Sequence, residues 1–279
     1  MKRAGALGLA LALIASACAG GGEGSRPAPG QPPRIVSLNP CTDAILAKIA
    51  DRDQLLAISH YSKDPAASSM AAADAARYQA TGGDVEEILA LAPDVVVASV
   101  FLDPATRNAL EDLGVRVQTY GMATSIAESE AQVRALAGLA GHPARGEALV
   151  ADMRAALAAA RPAPGAPAVE TAVWQPGGIV PGETALVSEL LRHTGLASYP
   201  RRRGMAQGDY LSLEQVLADP PDLLLVAGSE AGQHHPALRH LPRMRRETLD
   251  TRLLYCGGPT VIRAAERLAE VRDPAGSGR

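Results

Sequence analysis

The chain has 279 residues with 27 Lys and Arg against 30 Asp and Glu, a formal charge of -3, so it has no basic footprint and a nucleic-acid partner is excluded. Aromatic residues make up 3 % of it, with Trp174 and Phe101 alone of their kinds; the core must rest on Leu, Val, Ile and Ala. Past the first residues, no run is apolar enough to cross a membrane.

Lys2 and Arg3 precede an apolar stretch from Leu7 to Ile14, and Ala15-Ser16-Ala17 supplies the small residues that signal peptidases read. Residues 1–17 are therefore predicted to be a signal peptide. Cys18 directly follows, which leaves two routes open: cleavage at an A-x-A site, or lipidation of Cys18 at a lipobox. The lipoprotein route is preferred, because residues 18–33 are rich in Gly and Pro and read as a disordered tether that cannot offset its ordering entropy. Either route places the mature chain in the periplasm, and on the preferred one lipid on Cys18 is its only hold on a membrane.

From Arg34 on, short β-branched runs alternate with helical segments, the pattern of parallel strands covered by helices. The strand runs are Arg34 to Leu38, Leu55 to Ser59, Asp94 to Ser99 and Val115 to Tyr120, then Val169 to Gln175, Asp222 to Ala227 and Arg252 to Cys256. Helices are predicted to begin near Thr42, Asp84, Pro104, Gly182, Ser212 and Pro259. Between the two sets, Ser125 with Glu128 forms a capping box, Gly141 ends that helix, and Pro143 opens a second that Pro162 stops. At 1.5 Å per residue the second helix spans roughly 28 Å, a length suited to a strut between lobes. An ordinary crossover helix within one continuous sheet is the alternative. The predicted fold is α/β, two Rossmann-like lobes with parallel sheets joined by one long helix. Its units are an N-terminal lobe over 34–142, a connecting helix over 143–161 and a C-terminal lobe over 168–272.

The opening Arg34-Ile35-Val36-Ser37-Leu38-Asn39-Pro40, the segment Ser59-His60-Tyr61-Ser62, and the phrase from Gly82 through Glu86 to Pro93-Asp94-Val95-Val96 carry a resemblance. Over nearly the whole mature chain the sequence resembles the periplasmic binding proteins of ABC importers for iron chelates and cobalamin. That resemblance implies a non-enzymatic, monomeric substrate-binding protein. It would deliver a metal chelate, either cobalamin or another corrinoid or a ferric siderophore, to a permease and its ATPase, and would itself hold no cofactor and no metal. Heme or bare zinc or manganese are alternatives within the class. The resemblance also implies that Glu86 and Glu214, the latter in a second copy of the phrase beginning at Ser212, dock into basic pockets of the permease. Without it, both read as solvated carboxylates favoured by a helix dipole.

In open parallel sheets ligands gather beyond the carboxyl ends of the strands. That rule selects Asn39, Cys41 and Thr42, His60 and Tyr61, Val100 and Phe101, then Trp174 and Gln175, Ser229 and Glu230, and Gly257 and Gly258. Tyr61, Phe101 and Trp174 would offer contact surface to a large chelate, although Phe101 and Trp174 would equally fill core. Arg202, within Arg201-Arg202-Arg203, would pair with ligand carboxylates, or simply belong to a solvated face. His60-Tyr61 would supply an axial ligand to a chelated metal, whereas His234, His235 and His240 read as a surface loop. A secreted hydrolase is the competing class, but neither a G-x-S-x-G elbow nor an H-E-x-x-H helix is present.

Three cysteines are an odd number for an oxidising compartment. With Cys18 lipidated, Cys41 and Cys256 remain on the cleft side of different lobes. A disulfide between them, free thiols, and two thiolates meeting a metal all stay open, with the disulfide the leading expectation.

Overall fold

The structure, a computed structural model, describes residues 31–273. The predicted signal peptide, Cys18 and most of the tether lie outside the described residues.

The first half runs β1 (Ile35–Ser37), α1 (Pro40–Ile49), β2 (Leu55–Ser59), α2 (Ala72–Ala75), β3 (Gln79–Thr81), α3 (Val85–Ala90), β4 (Val95–Ser99), α4 (Pro104–Asp112) and β5 (Arg116–Tyr120). Its five strands are parallel, in the order β3-β2-β1-β4-β5. Two helices follow, α5 (Ile126–Leu139) and α6 (Pro143–Ala159). The second half is β6 (Val169–Trp174), α7 (Leu186–His193), β7 (Leu196–Ser198), α8 (Tyr199–Arg202), α9 (Leu213–Ala218), β8 (Leu223–Val226), β9 (Arg245–Thr248) and α10 (Thr260–Arg272). Its sheet is also wholly parallel, in the order β7-β6-β8-β9. The chain is thus an α/β protein of two lobes.

Alternation along the strands builds three cores. Ile35, Val95 and Val97 of the first sheet and Leu223 and Leu225 of the second face one shared core with α1, α5, α6, α7 and α10. Val36 and Val96 turn the other way against Ile88 and Leu110, and Ala172, Trp174, Leu224 and Val226 do the same in the second lobe. Strands buried on both faces need continuous apolar runs, and β4 and β8 have them.

The connection between the lobes is a packed pair of helices. Gly146 on α6 is obligatory there, because a Cβ would stand 2.4 Å from the Ala137 Cβ on α5. Arg154 of α6 clasps Glu130 of α5 through Nε and the terminal nitrogen, at 2.8 and 2.5 Å. The helix from Pro143 stops at Ala159, two residues short of the expected Arg161. At the start of α5 the Ser125 hydroxyl accepts the Glu128 amide, but the Glu128 carboxylate reaches past Ser125 to the amide and hydroxyl of Thr124. One predicted strand is absent: Arg252 to Cys256 is a 3-10 turn and loop, and the last strand is β9, an edge strand of mostly charged residues.

Candidate functional site

Strand order reverses between β1 and β4 in the first sheet and between β6 and β8 in the second, and ligands of open α/β sheets sit outside such switch points. Asn39 and Phe101 stand at the first, Gln175 and Ser229 at the second. Asn39 caps α1, its side-chain oxygen accepting the Cys41 amide at 2.8 Å. Cys41 forms a disulfide with Cys256, with Cα atoms 5.0 Å apart and 215 residues between them in sequence. The neighbouring Tyr255 hydroxyl donates to the Gln175 side-chain oxygen at 2.5 Å. These linked contacts bring the carboxyl end of β1 to the carboxyl end of β6 and form the floor of a cleft between the lobes.

The walls are apolar and exposed. After β2, His60 and Tyr61 open a short 3-10 turn, their ring centroids 4.0 Å apart, and Tyr61 is 57 % exposed. Beyond β4 comes Phe101, 86 % exposed with Val100 beside it, and beyond β5 comes Met122. In the second lobe the loop after β6 pairs Ile179 with Tyr210 in an antiparallel bridge, and both are exposed, as is Tyr255. Gly178 makes that bridge possible: its φ is +77°, and a Cβ would lie 2.4 Å from the Tyr210 ring. Seven of the eight exposed large hydrophobic side chains of the described residues therefore collect at the carboxyl ends of the strands, with Leu113 alone elsewhere. Exposed apolar side chains at strand ends are the surface that a candidate binding site of this fold would use.

The remaining polar groups at the cleft are mostly committed. Glu230 accepts the Gly177 amide at 2.7 Å, and Gln233 donates to the Trp174 carbonyl at 2.8 Å, sealing the end of β6. His234, His235 and His240 lie on 3-10 turns at the surface, and among the described residues no group of three or more His, Cys, Asp or Glu is placed to hold a metal ion.

Several expected contact residues prove unavailable. Trp174 is only 3 % exposed and belongs to the outer core of the second lobe, its indole donating to the Leu211 carbonyl at 2.8 Å. The parity of β6 explains this, since Trp174 shares a face with Ala172. Thr42 is buried, bonded to the Ser37 hydroxyl and the Asn39 carbonyl. Cys41 has its sulfur consumed by Cys256, so it offers no thiolate to a ligand. Gln175 is largely buried and occupied by Tyr255. Arg202 pairs with Glu170 at 3.3 Å, at the amino end of β6 and so at the opposite end of that strand from the cleft; Arg203 bridges Glu170 and Asp219 there. The strand-end rule brings Asn39, His60, Tyr61 and Phe101 to the same face. Reasoning from sequence passed over Tyr255, Met122 and the Ile179–Tyr210 pair. Tyr255 was hidden inside the expected strand, and the turn signal Gly257-Gly258-Pro259 just after it was the clue to the loop.

Glu86 and Glu214 sit in the first turns of α3 and α9, exposed and without an ion pair among the described residues. Their neighbour Glu87 is different: it accepts the Thr81 hydroxyl and the Gly82 amide, both at 2.8 Å, which hold its carboxyl below the ordinary range. Backbone amide and the Ser212 hydroxyl lower Glu214 in the same direction. Helix α3 starts just after the carboxyl end of β3, and α9 just after Leu211, which receives the Trp174 indole. Both carboxylates therefore rise on the strand-end side of their lobes.

Two lobes, each with a parallel sheet whose switch point faces the other lobe, are the architecture of a two-lobed binding protein. The chain belongs to the periplasmic binding protein family, whose model matches residues 35–247. Among solved structures it is similar to the heme-binding protein RhuT from Roseiflexus sp. RS-1, with a TM-score of 0.65 and 23 % identity over 86 % of this chain and 97 % of that one. The heme-binding protein HutB of Vibrio cholerae superposes with a TM-score of 0.70 at 16 % identity, over 86 % of this chain and 98 % of HutB. The vitamin B12-binding protein BtuF of the same organism gives 0.61 at 20 %, over 89 % of this chain and 99 % of BtuF. At these identities the shared property is the fold. A cobalamin-binding protein of Halobacterium salinarum is 29 % identical over 130 residues, 46 % of this chain and 35 % of that relative, so the match spans about a third of its length.

Proposed function

We infer that the protein is the extracytoplasmic substrate-binding component of an ABC importer, and that its cargo is a large metal chelate of the corrinoid class, bound and released without chemistry. The observation that carries this reading is the set of exposed apolar side chains gathered at both switch points, a surface suited to a bulky, flat-sided ligand. Asn39, His60, Tyr61 and Phe101 would contact it from one lobe and Tyr255 with the Ile179–Tyr210 pair from the other. The likeness to cobalamin-binding proteins supports the corrinoid, and so does the engagement of Arg202 and Arg203 with carboxylates, which removes the cations an anionic siderophore would use. Glu86 and Glu214, exposed and on the strand-end side of their lobes, would enter basic pockets of the permease with charge-assisted contacts. Lipid on Cys18 would hold the protein at the membrane in the periplasm.

A heme is the second reading, favoured by one specific feature: the exposed Tyr61 phenol beside His60 could serve as an axial ligand. Calorimetric titration of the purified protein with cyanocobalamin, hemin and a ferric siderophore separates these. Micromolar or tighter binding of cyanocobalamin alone supports the corrinoid. Tight hemin binding with a Soret shift that Tyr61→Phe abolishes would replace it by heme. If no probe binds tighter than about millimolar, the chelate reading is lost.

A further inference from the structure

Beneath the His60–Tyr61 turn lies a carboxylate that the cleft itself does not use. Asp43, in the first turn of α1, is fully buried. One of its oxygens, Oδ2, accepts the Ser59 amide at 2.9 Å and the Ser62 hydroxyl at 2.6 Å. Those two donors bracket His60 and Tyr61 in sequence, and the Ser59 hydroxyl in turn accepts the Tyr61 amide at 3.3 Å. The other oxygen, Oδ1, has no hydrogen-bond partner. A buried carboxylate without a counter-ion is costly, so a purely packing role would be better filled by a neutral side chain.

The geometry points to Asp43 as the positioning residue of the ligand-facing turn: its carboxylate clamps Ser59 and Ser62, fixes His60 and Tyr61 between them, and ties the turn through α1 and Cys41 to the opposite lobe. This rests on the reading of Tyr61 as a ligand contact. A clamp on the turn reduces the ordering cost that ligand binding would otherwise carry. It also makes the turn sensitive to protonation. Burial pushes Asp43 up to about 7, opposed by the Ser62 and Ser59 donors and by the nearby Ser37 hydroxyl. The titratable groups on the elements packed against α1 are His60 and Lys63 of the turn, Glu128, Glu130 and Arg134 on α5, and Arg145, Glu147, Asp152 and Arg154 on α6, with Arg263 of α10 also beside it; none contributes to the shift. Because burial outweighs those donors, the closed turn holds a proton that a solvated Asp43 would release, and the clamp weakens as pH rises through about 7.

Hydrogen–deuterium exchange on the ligand-free protein tests the clamp directly. After correction for intrinsic exchange, protection of the segment 59–63 should fall about tenfold between pH 6 and pH 8 in the wild type, because opening the turn returns Asp43 to water and to its ordinary ionisation. In Asp43→Asn it should be low and flat with pH, and in Ser62→Ala intermediate. Protection that is independent of pH in the wild type, or unchanged in a folded Asp43→Asn variant, overturns the proposal. A parallel cyanocobalamin titration should show affinity falling about tenfold over the same interval in the wild type and not in Asp43→Asn. Wild-type protein that binds neither cyanocobalamin nor hemin would instead defeat the ligand reading, while the exchange data still decide the clamp.

Discussion

Cys41 and Cys256 stand 215 residues apart in sequence and 5.0 Å apart at their Cα atoms, one at the start of α1 and the other in the loop before α10. The bridge therefore joins the two lobes at the base of the cleft. Around it, the Gly258 amide donates to the Ser129 hydroxyl at 2.7 Å, and the Thr260 and Ser69 hydroxyls meet at 2.8 Å in a buried contact between lobes. The segment 256–260 is thereby tied to α1, to α5 and to the stretch before α2 at once.

Closing so long a loop should stabilise the folded chain substantially, by up to about 5 kcal/mol in the chain-entropy treatment. The double substitution Cys41→Ser and Cys256→Ser is expected to lower the urea midpoint strongly, and a reductant should reproduce the effect in the wild type. An unchanged midpoint would mean that packing between the lobes suffices without the bond.

Exposed and buried aromatic residues should respond in opposite ways. Tyr61→Ala, Phe101→Ala and Tyr255→Ala remove water-facing surface, so each is expected to leave the unfolding midpoint almost unchanged. Each should weaken chelate binding about tenfold or more. Trp174→Ala removes a buried ring and its bond to Leu211, so it should cost about 3–5 kcal/mol of stability. Thermal melts beside calorimetric titration of the four variants check the contrast, and a Phe101→Ala variant that binds normally would remove Phe101 from the site.

Much of this arrangement was legible in the sequence because strands buried on both faces must be continuously apolar, as Val95 to Ala98 and Leu223 to Val226 are. The strand-end rule then located Asn39, His60, Tyr61 and Phe101. The three-residue strands β3 and β7 were too short to leave a pattern. Leu253, Leu254 and Tyr255 looked like a strand, yet the two leucines pack into the shared core from a 3-10 turn while the true edge strand Arg245–Thr248 is charged. The burial of Trp174 depends on which face of β6 meets the outer layer, and the fate of Arg202 and Arg203 on carboxylates from β6 and the end of α9. Both are set by tertiary neighbours distant in sequence.

Glu86 and Glu214 separate docking from ligand capture. Glu86→Lys and Glu214→Lys should each leave chelate affinity and thermal stability near wild type, because neither carboxylate has a partner in an ion pair among the described residues. Both should abolish uptake in vesicles carrying the permease and its ATPase. Reduced affinity in either variant would assign that carboxylate to the ligand site.

Stability against pH should carry the signature of Asp43. Its carboxyl moves from an ordinary value of 3.8 to about 7 on folding. Between these limits the folded state holds a proton that the unfolded state has released, so this group's contribution to stability falls as pH rises from about 4 to about 7 and levels off above. Glu130 has the opposite sign: the Arg154 bonds lower its carboxyl, so its contribution is present above the usual carboxylate range and is lost as pH falls through the lowered value. Urea unfolding at about pH 5 and about pH 8 distinguishes the two. Asp43→Asn should cost more stability at the lower pH than at the higher, because the wild-type contribution falls as pH rises while that of the non-titrating amide stays constant. Glu130→Gln should cost about the same at both, since Glu130 is ionised throughout that interval. Equal costs for Asp43→Asn at the two pH values would mean that the buried carboxyl does not titrate between them.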